Sequence, residues 1–226
     1  MRPTLSFAPP SGVVFDLDGT LVDSRGDIVA ACLHTLATHG RRPRSAEEIA
    51  SFVGDGARLL VSRAAGLEPT APELDPLLET YLAYYAAHSH DETVLMPGAL
   101  EALDAVSDLP LALCTFKPRA STEPLLAHLG LRGRFSAVIA GEDVTAHKPN
   151  PDPLIEIARR LELPCSQLVM VGDGPQDIEC GRRAGARTVG VPGPFLARER
   201  LVSAAPDVLL DHIGQLPEQI ARWRAA

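Results

Sequence analysis

The chain has 226 residues, is 46% hydrophobic and carries a formal net charge of −8. That length supports one sizeable core with a smaller module beside it. The acidity argues against a nucleic-acid or anionic-membrane partner, and no apolar run approaches the ~20 residues that cross a bilayer.

The first element in chain order is the run 12–21, Gly-Val-Val-Phe-Asp-Leu-Asp-Gly-Thr-Leu. It reads as a short apolar strand that ends on two carboxylates, Asp16 and Asp18, before a glycine turn. A buried strand end does not normally carry two acids, because each ionised carboxylate is expensive to desolvate. A hard cation such as Mg²⁺ suits that position. Asp16 would then attack a phosphoryl group while Asp18 manages the proton.

Next the pattern turns helical. Ile28, Val29, Cys32, Leu33 and Leu36 recur at helical spacing up to Gly40. Ser45 with Glu48, and Thr70 with Glu73, read as capping boxes. Gly54, Asp55 and Gly56 punctuate the middle of this stretch, and Leu59, Leu60 and Ala64 resume a helical face. Residues 24–93 therefore read as an all-helical module.

From Pro97 onward strands and helices alternate. Apolar runs at 109–115, 135–140, 167–172, 187–191 and 207–210 are separated by helical stretches ending near 129, 161 and 184. This rhythm predicts an α/β fold, a doubly wound and mostly parallel sheet with helices on both faces. The first strand belongs to that sheet. The expected organisation is a Rossmann-like core of residues 1–23 and 94–226, with the helical module 24–93 inserted after the first strand.

In such a sheet, ligands bind beyond the carboxyl ends of the strands. Several polar groups fall there: Asp16 and Asp18, Thr115, Lys148, then Asp173 and Asp177. Only two of the 21 cationic residues are lysines, Lys117 and Lys148. A lysine delivers a compact charge through a thin stem, where arginine is a wide planar fork. Lys148 is expected to face the phosphate and Lys117 to be peripheral.

These motifs, in order, resemble those of the haloacid dehalogenase superfamily, most of whose members are Mg²⁺-dependent phosphatases. The resemblance implies Asp16 as nucleophile and Asp18 as general acid/base. The dehalogenases proper lack the second acid, so Asp18 argues against carbon–halogen chemistry. Thr115 would hydrogen-bond the phosphoryl oxygens, and Lys148 would offset the negative charge. Asp16, Asp173 and the main-chain carbonyl of Asp18 would hold Mg²⁺. Asp177 would act through water or by orienting Lys148.

The segments around Thr115, Phe116, Lys117 and Pro118, around Lys148, and from Val53 to Ala57 narrow the resemblance to the phosphoglycolate phosphatase group. It implies that the helical module is a cap that selects a small phosphorylated metabolite such as 2-phosphoglycolate. Gly54 and Arg58 are then candidate substrate contacts. Arg58 would take a carboxylate, with a solvated helix position as the competing reading. Phe116 stands where the group usually has Asn, and Gly174 where Ser is more usual, so an amide near the substrate is replaced by an apolar ring. A phosphosugar mutase and a catalytically silent phosphate-binding domain are the alternative functions.

Residues 1–10 hold one arginine and no long apolar stretch, so no signal peptide is expected. Cys32, Cys114, Cys165 and Cys180 are scattered and fit reduced thiols in a cytoplasmic protein, monomeric or homodimeric.

Overall fold

The computed structural model describes residues 8–225; most of the N-terminal stretch judged not to be a signal peptide lies outside the described residues. The main sheet has six strands, β1 (Gly12–Phe15), β4 (Leu111–Cys114), β5 (Phe135–Ile139), β6 (Leu168–Gly172), β7 (Arg187–Gly190) and β8 (Val208–Leu209), in spatial order β5-β4-β1-β6-β7-β8. Every neighbouring pair is parallel. β2 (Val22–Asp23) and β3 (Val94–Leu95) form a separate antiparallel pair.

The strands alternate between two apolar layers, as a period of two requires. Val13, Phe15, Leu111, Leu113, Val169 and Val171 join one core cluster. Val14, Ala112, Cys114, Leu168 and Met170 join the other. Helices α5 (Ala99–Ala105), α6 (Arg119–His128) and α10 (Leu216–Ala225) cover the first face, and α7 (Asp152–Arg160) and α8 (Pro175–Ala184) the second. With both faces covered, β1, β4, β6 and β7 are buried along their whole length. A short helix α9 (Arg198–Ala204) precedes β8.

Between β2 and β3 the chain forms α1 (Arg25–Thr38), α2 (Ala46–Ala50), α3 (Ala57–Ala65) and α4 (Leu74–His88). They share a third core of their own, in which Cys32, Leu60, Leu77 and Tyr81 are buried and to which Phe195 of the sheet domain adds its ring. The Ser45 box is formed: Glu48 N donates to Ser45 Oγ at 3.1 Å and Ser45 N donates to the Glu48 carboxylate at 3.0 Å. The Thr70 box is not. The chain turns tightly through Leu74 N→Ala71 O and Asp75 N→Pro72 O, so α4 starts at Leu74, later than the sequence pattern suggests.

The two ends of this insertion are fastened together. Val22 pairs with Leu95 and Asp23 with Val94. Asp27, 2% exposed in the first turn of α1, accepts from Glu92 N (2.9 Å), Thr93 N (3.0 Å) and Thr93 Oγ1 (2.5 Å). Hydrogen bonds to a charged group contribute about 1.5–3 kcal/mol each, and loss of the acceptor strands buried donors. Asp27→Ala is therefore expected to lower unfolding free energy by about 3 kcal/mol or more in urea denaturation. An unchanged midpoint would show that the ribbon alone holds the insertion.

Candidate active site

The strand order reverses at β1. From β1 the chain steps outward to β4 and β5, then returns to the other side through β6. A crevice opens where neighbouring strands leave in opposite directions, and it lies beyond their carboxyl ends. Asp16 follows β1 there, and Asp173 follows β6.

Three buried carboxylates converge at this point. Oxygens of Asp16, Asp173 and Asp177 lie within 4.8 Å of one another. One ammonium faces them. Lys148 Nζ donates to Asp16 Oδ1 (2.6 Å), Asp177 Oδ1 (2.7 Å) and the Cys114 carbonyl (2.8 Å). Burial alone would depress that lysine, but Asp16 and Asp177 outweigh it and hold it protonated, well above its ordinary value. The acids remain one charge or more in excess. Burial, reinforced by Asp177 against the pull of Lys148, pushes Asp16 up to about 7. Burial, then Asp16 and Asp177, raises Asp173 well above the carboxylate range. A buried all-oxygen set with surplus negative charge fits a hard divalent cation.

Two glycines make room for this cluster. Gly19 turns the chain at φ +95°, and a Cβ there would sit 2.3 Å from Asp173 Oδ2. A Cβ on Gly172 would collide with the Asp177 carboxyl at 2.2 Å. Asp177 lies in the first turn of α8, where its second oxygen accepts from Gly174 N at 3.0 Å. Its other oxygen pairs with Lys148.

Asp18 points elsewhere. Its Oδ1 accepts from Ser24 Oγ (2.6 Å) and from Lys117 Nζ (3.1 Å). Lys117 is not peripheral. It is 4% exposed, donates also to Tyr85 Oη, and lies 4.3 Å from the centre of the Tyr85 ring. The reason is the tight turn after β4. Lys117 N donates to Thr115 Oγ1 at 3.0 Å, which folds residue 117 back toward β1. The chain's two lysines thus each hold one of the two aspartates of the first motif.

Thr115 is 5% exposed at the end of β4, and accepting from Lys117 leaves its hydroxyl proton to donate. Asp16, Asp18, Thr115, Phe116, Lys148, Asp173, Asp177 and Gly54 all line one cavity. Arg58 does not. Its guanidinium donates to Asp75 (2.9 Å) and to the Pro69 carbonyl (2.7 Å), so it is spent on the surface of the inserted helices. Sequence reasoning missed Tyr81, Tyr85, Gln176, Phe195 and Leu196, which also line the cavity. Gln176 Nε2 donates to the Gly54 carbonyl (3.2 Å) and Asp55 Oδ1 (2.6 Å), tying α8 to the insertion. A glutamine in a helix's first turn carries no sequence signal for such a contact. Lys117 did carry one, the rarity of lysine.

The model of the haloacid dehalogenase-like hydrolase family matches residues 13–191. The chain belongs to the haloacid dehalogenase-like hydrolases. It is 35% identical over 210 residues to a phosphoglycolate phosphatase of Pectobacterium atrosepticum, covering 91% of this chain and 90% of that one. It is 32% identical to an N-acetylmuramic acid 6-phosphate phosphatase of Pseudomonas aeruginosa, with 93% and 94% covered. A crystal structure of a predicted phosphoglycolate phosphatase from Haemophilus somnus superposes with a TM-score of 0.86 at 26% identity, covering 93% of this chain and 97% of that one. Among the described residues no helix is long and apolar enough to cross a membrane.

The charge surplus has a pH signature. Asp16 ionises near 3.8 when free and about 7 when folded. Between those values the folded state holds a proton that the unfolded chain has lost, so this group lowers stability as pH rises through that window and no further above it. A divalent cation held by these carboxylates would compete with that proton. The melting shift produced by Mg²⁺ over an EDTA-treated sample is expected to be larger at pH 8 than at pH 5, reaching roughly 2.7 kcal/mol at a hundredfold excess over Kd. A shift that shrinks with rising pH would show that the cation binds elsewhere.

Proposed function

We propose that this hydrolase is a Mg²⁺-dependent phosphatase that cleaves a small phosphomonoester through an aspartyl-phosphate on Asp16. The observation that carries the reading is the separation of the two aspartates. Asp16 is buried beside Lys148, Asp173 and Asp177, and Asp18, two residues on, is held apart by Ser24 and Lys117. Two carboxylates in different electrostatic surroundings suit two different roles.

In the first step an oxygen of Asp16 attacks phosphorus in line. The bond to the ester oxygen breaks, and Asp18 gives that oxygen a proton. In the second, Asp18 takes a proton from a water that attacks phosphorus, and the bond to Asp16 breaks. Thr115 donates its hydroxyl to the phosphoryl oxygens. Lys148 offsets their charge, and Asp177 positions Lys148. Asp16, Asp173 and the main-chain carbonyl of Asp18 would hold Mg²⁺, which supplies Lewis-acid charge to the transferring group.

Residues 24–93 act as a cap over this site. The cavity is shared between the two parts, with Tyr81, Tyr85 and Leu60 contributed by the insertion. Closure would exclude bulk water during the first step. The relatives' names support phosphomonoesters as substrates and differ in the alcohol, glycolate in one and an amino sugar acid in another. The four cysteines are free thiols, which fits a cytoplasmic setting.

Asp16→Asn is expected to reduce Mg²⁺-dependent hydrolysis of p-nitrophenyl phosphate to background while the protein remains folded. In the wild type, acid-quenched samples should carry one phosphoryl group on the peptide containing Asp16. Phosphorylation of another residue would reassign the nucleophile. Both lysines should resist replacement. Lys148→Arg and Lys117→Arg each put a wide fork where a compact ammonium is buried, and each should lower kcat more than about tenfold. A silent Lys117→Arg would mean that its contact with Asp18 is structural only.

A further inference from the structure

The charged groups of the cavity lie on its floor, and both ammonium groups among them are engaged. Lys148 spends its ammonium on Asp16, Asp177 and the Cys114 carbonyl. Lys117 spends its own on Asp18 and Tyr85. No arginine is among the described lining residues. The roof is different in kind. Ile28, Val53, Leu60 and Tyr81 come down from the inserted helices, and Phe195 and Leu196 come up from the loop after β7.

Phe116 stands at the boundary between floor and roof. Its ring centre is 5.3 Å from Lys148 Nζ and 5.6 Å from the His147 ring. Gly56, on the insertion, passes so close that a Cβ there would lie 3.5 Å from the Phe116 ring. A phosphoryl group on the floor places its leaving group above, between Phe116 and the apolar side chains of the insertion.

A second anion placed under that roof would lose its water and meet no cation that is not already paired with a carboxylate. Burying an unpaired charge in apolar surroundings is far costlier than burying a methyl group. We propose that the natural leaving group is a small uncharged alcohol with an apolar body, of branched-alkyl or benzyl type, and that Phe116 selects it against alcohols that carry a carboxylate. The proposal rests on the phosphatase reading and deepens it.

The test compares isobutyl phosphate, benzyl phosphate and 2-phosphoglycolate on the wild-type, Mg²⁺-loaded protein, by release of inorganic phosphate. The first and last are close in size, and all three are esters of alkyl alcohols. A complementary apolar contact discriminates by about ten- to two-hundredfold, so kcat/KM for isobutyl phosphate should exceed that for 2-phosphoglycolate by such a factor. Phe116→Asn should shrink the ratio at least about tenfold, and Phe116→Leu should keep most of it. Equal values for the two esters, or a preference for 2-phosphoglycolate, overturn the proposal and leave the phosphatase reading standing. Phosphate release from none of the three, nor from p-nitrophenyl phosphate, overturns both.

Discussion

One ammonium facing three buried carboxylates is the constraint around which this molecule is arranged. Asp16, Asp173 and Asp177 are each less than a tenth exposed, and Lys148 alone bridges two of them. A buried ion pair recovers its desolvation cost only when its geometry is good and its remaining valences are filled. Lys148 meets that condition, with three acceptors for three protons. The acids do not, since their number exceeds the charge present. Burial, reinforced by Asp177, pushes Asp16 up to about 7 despite the pull of Lys148. A protein selected for stability alone would place apolar side chains here. A hard divalent cation would suit the deficit that the three carboxylates leave.

The sheet topology is what makes this arrangement possible. Asp16, Thr115, Lys148 and Asp173 are separated by tens of residues, yet each follows a strand of the same parallel sheet. Parallel strands all end on one side, so four loops meet there without any long connection. The insertion exploits the same edge. It leaves the chain just after Asp18 and returns before Pro97, closed by the β2–β3 pair and by Asp27. Its roof therefore starts a few residues from Asp16, and the residues that shape the upper cavity are covalently near those that form its floor.

The parts legible in the sequence were those in which a residue's role follows from its position on a strand. Six apolar runs became six strands, and the polar groups at their ends met in one cavity. The parts that were not legible depend on side-chain direction across the interface between insertion and core. Arg58 sits four residues from Gly54, near enough in sequence to suggest the cavity. A helix turns 100° per residue, however, and Arg58 is carried to a face where Asp75 and the Pro69 carbonyl receive it. Lys117 was misjudged for the opposite reason. It lies in a loop, where exposure is the usual expectation, and the turn closed by Thr115 Oγ1 folds it inward. The Thr70 box failed because its local signal competes with a proline-containing turn that starts the helix later.

Most polar contacts between the two parts fall on or beside the candidate catalytic groups, with Ser89 Oγ donating to the Ser121 carbonyl (3.4 Å) apart from them. Lys117 touches Tyr85 of α4 while holding Asp18, and Gln176, beside Asp177, holds the Gly54 carbonyl and Asp55. The remainder of the shared boundary in the cavity is apolar, with Phe116 facing Gly56 and Phe195 set among the inserted helices. A part-buried hydrogen bond contributes about 0.5–1.5 kcal/mol net, because water replaces it on opening. A handful of such bonds is a modest holding energy, small beside the stability of either core. Few polar bonds thus join insertion and core at the cavity, and the core side chains that make them, Lys117 and Gln176, sit beside Asp18 and Asp177. Any change in the position of the roof therefore breaks contacts made by side chains of the floor.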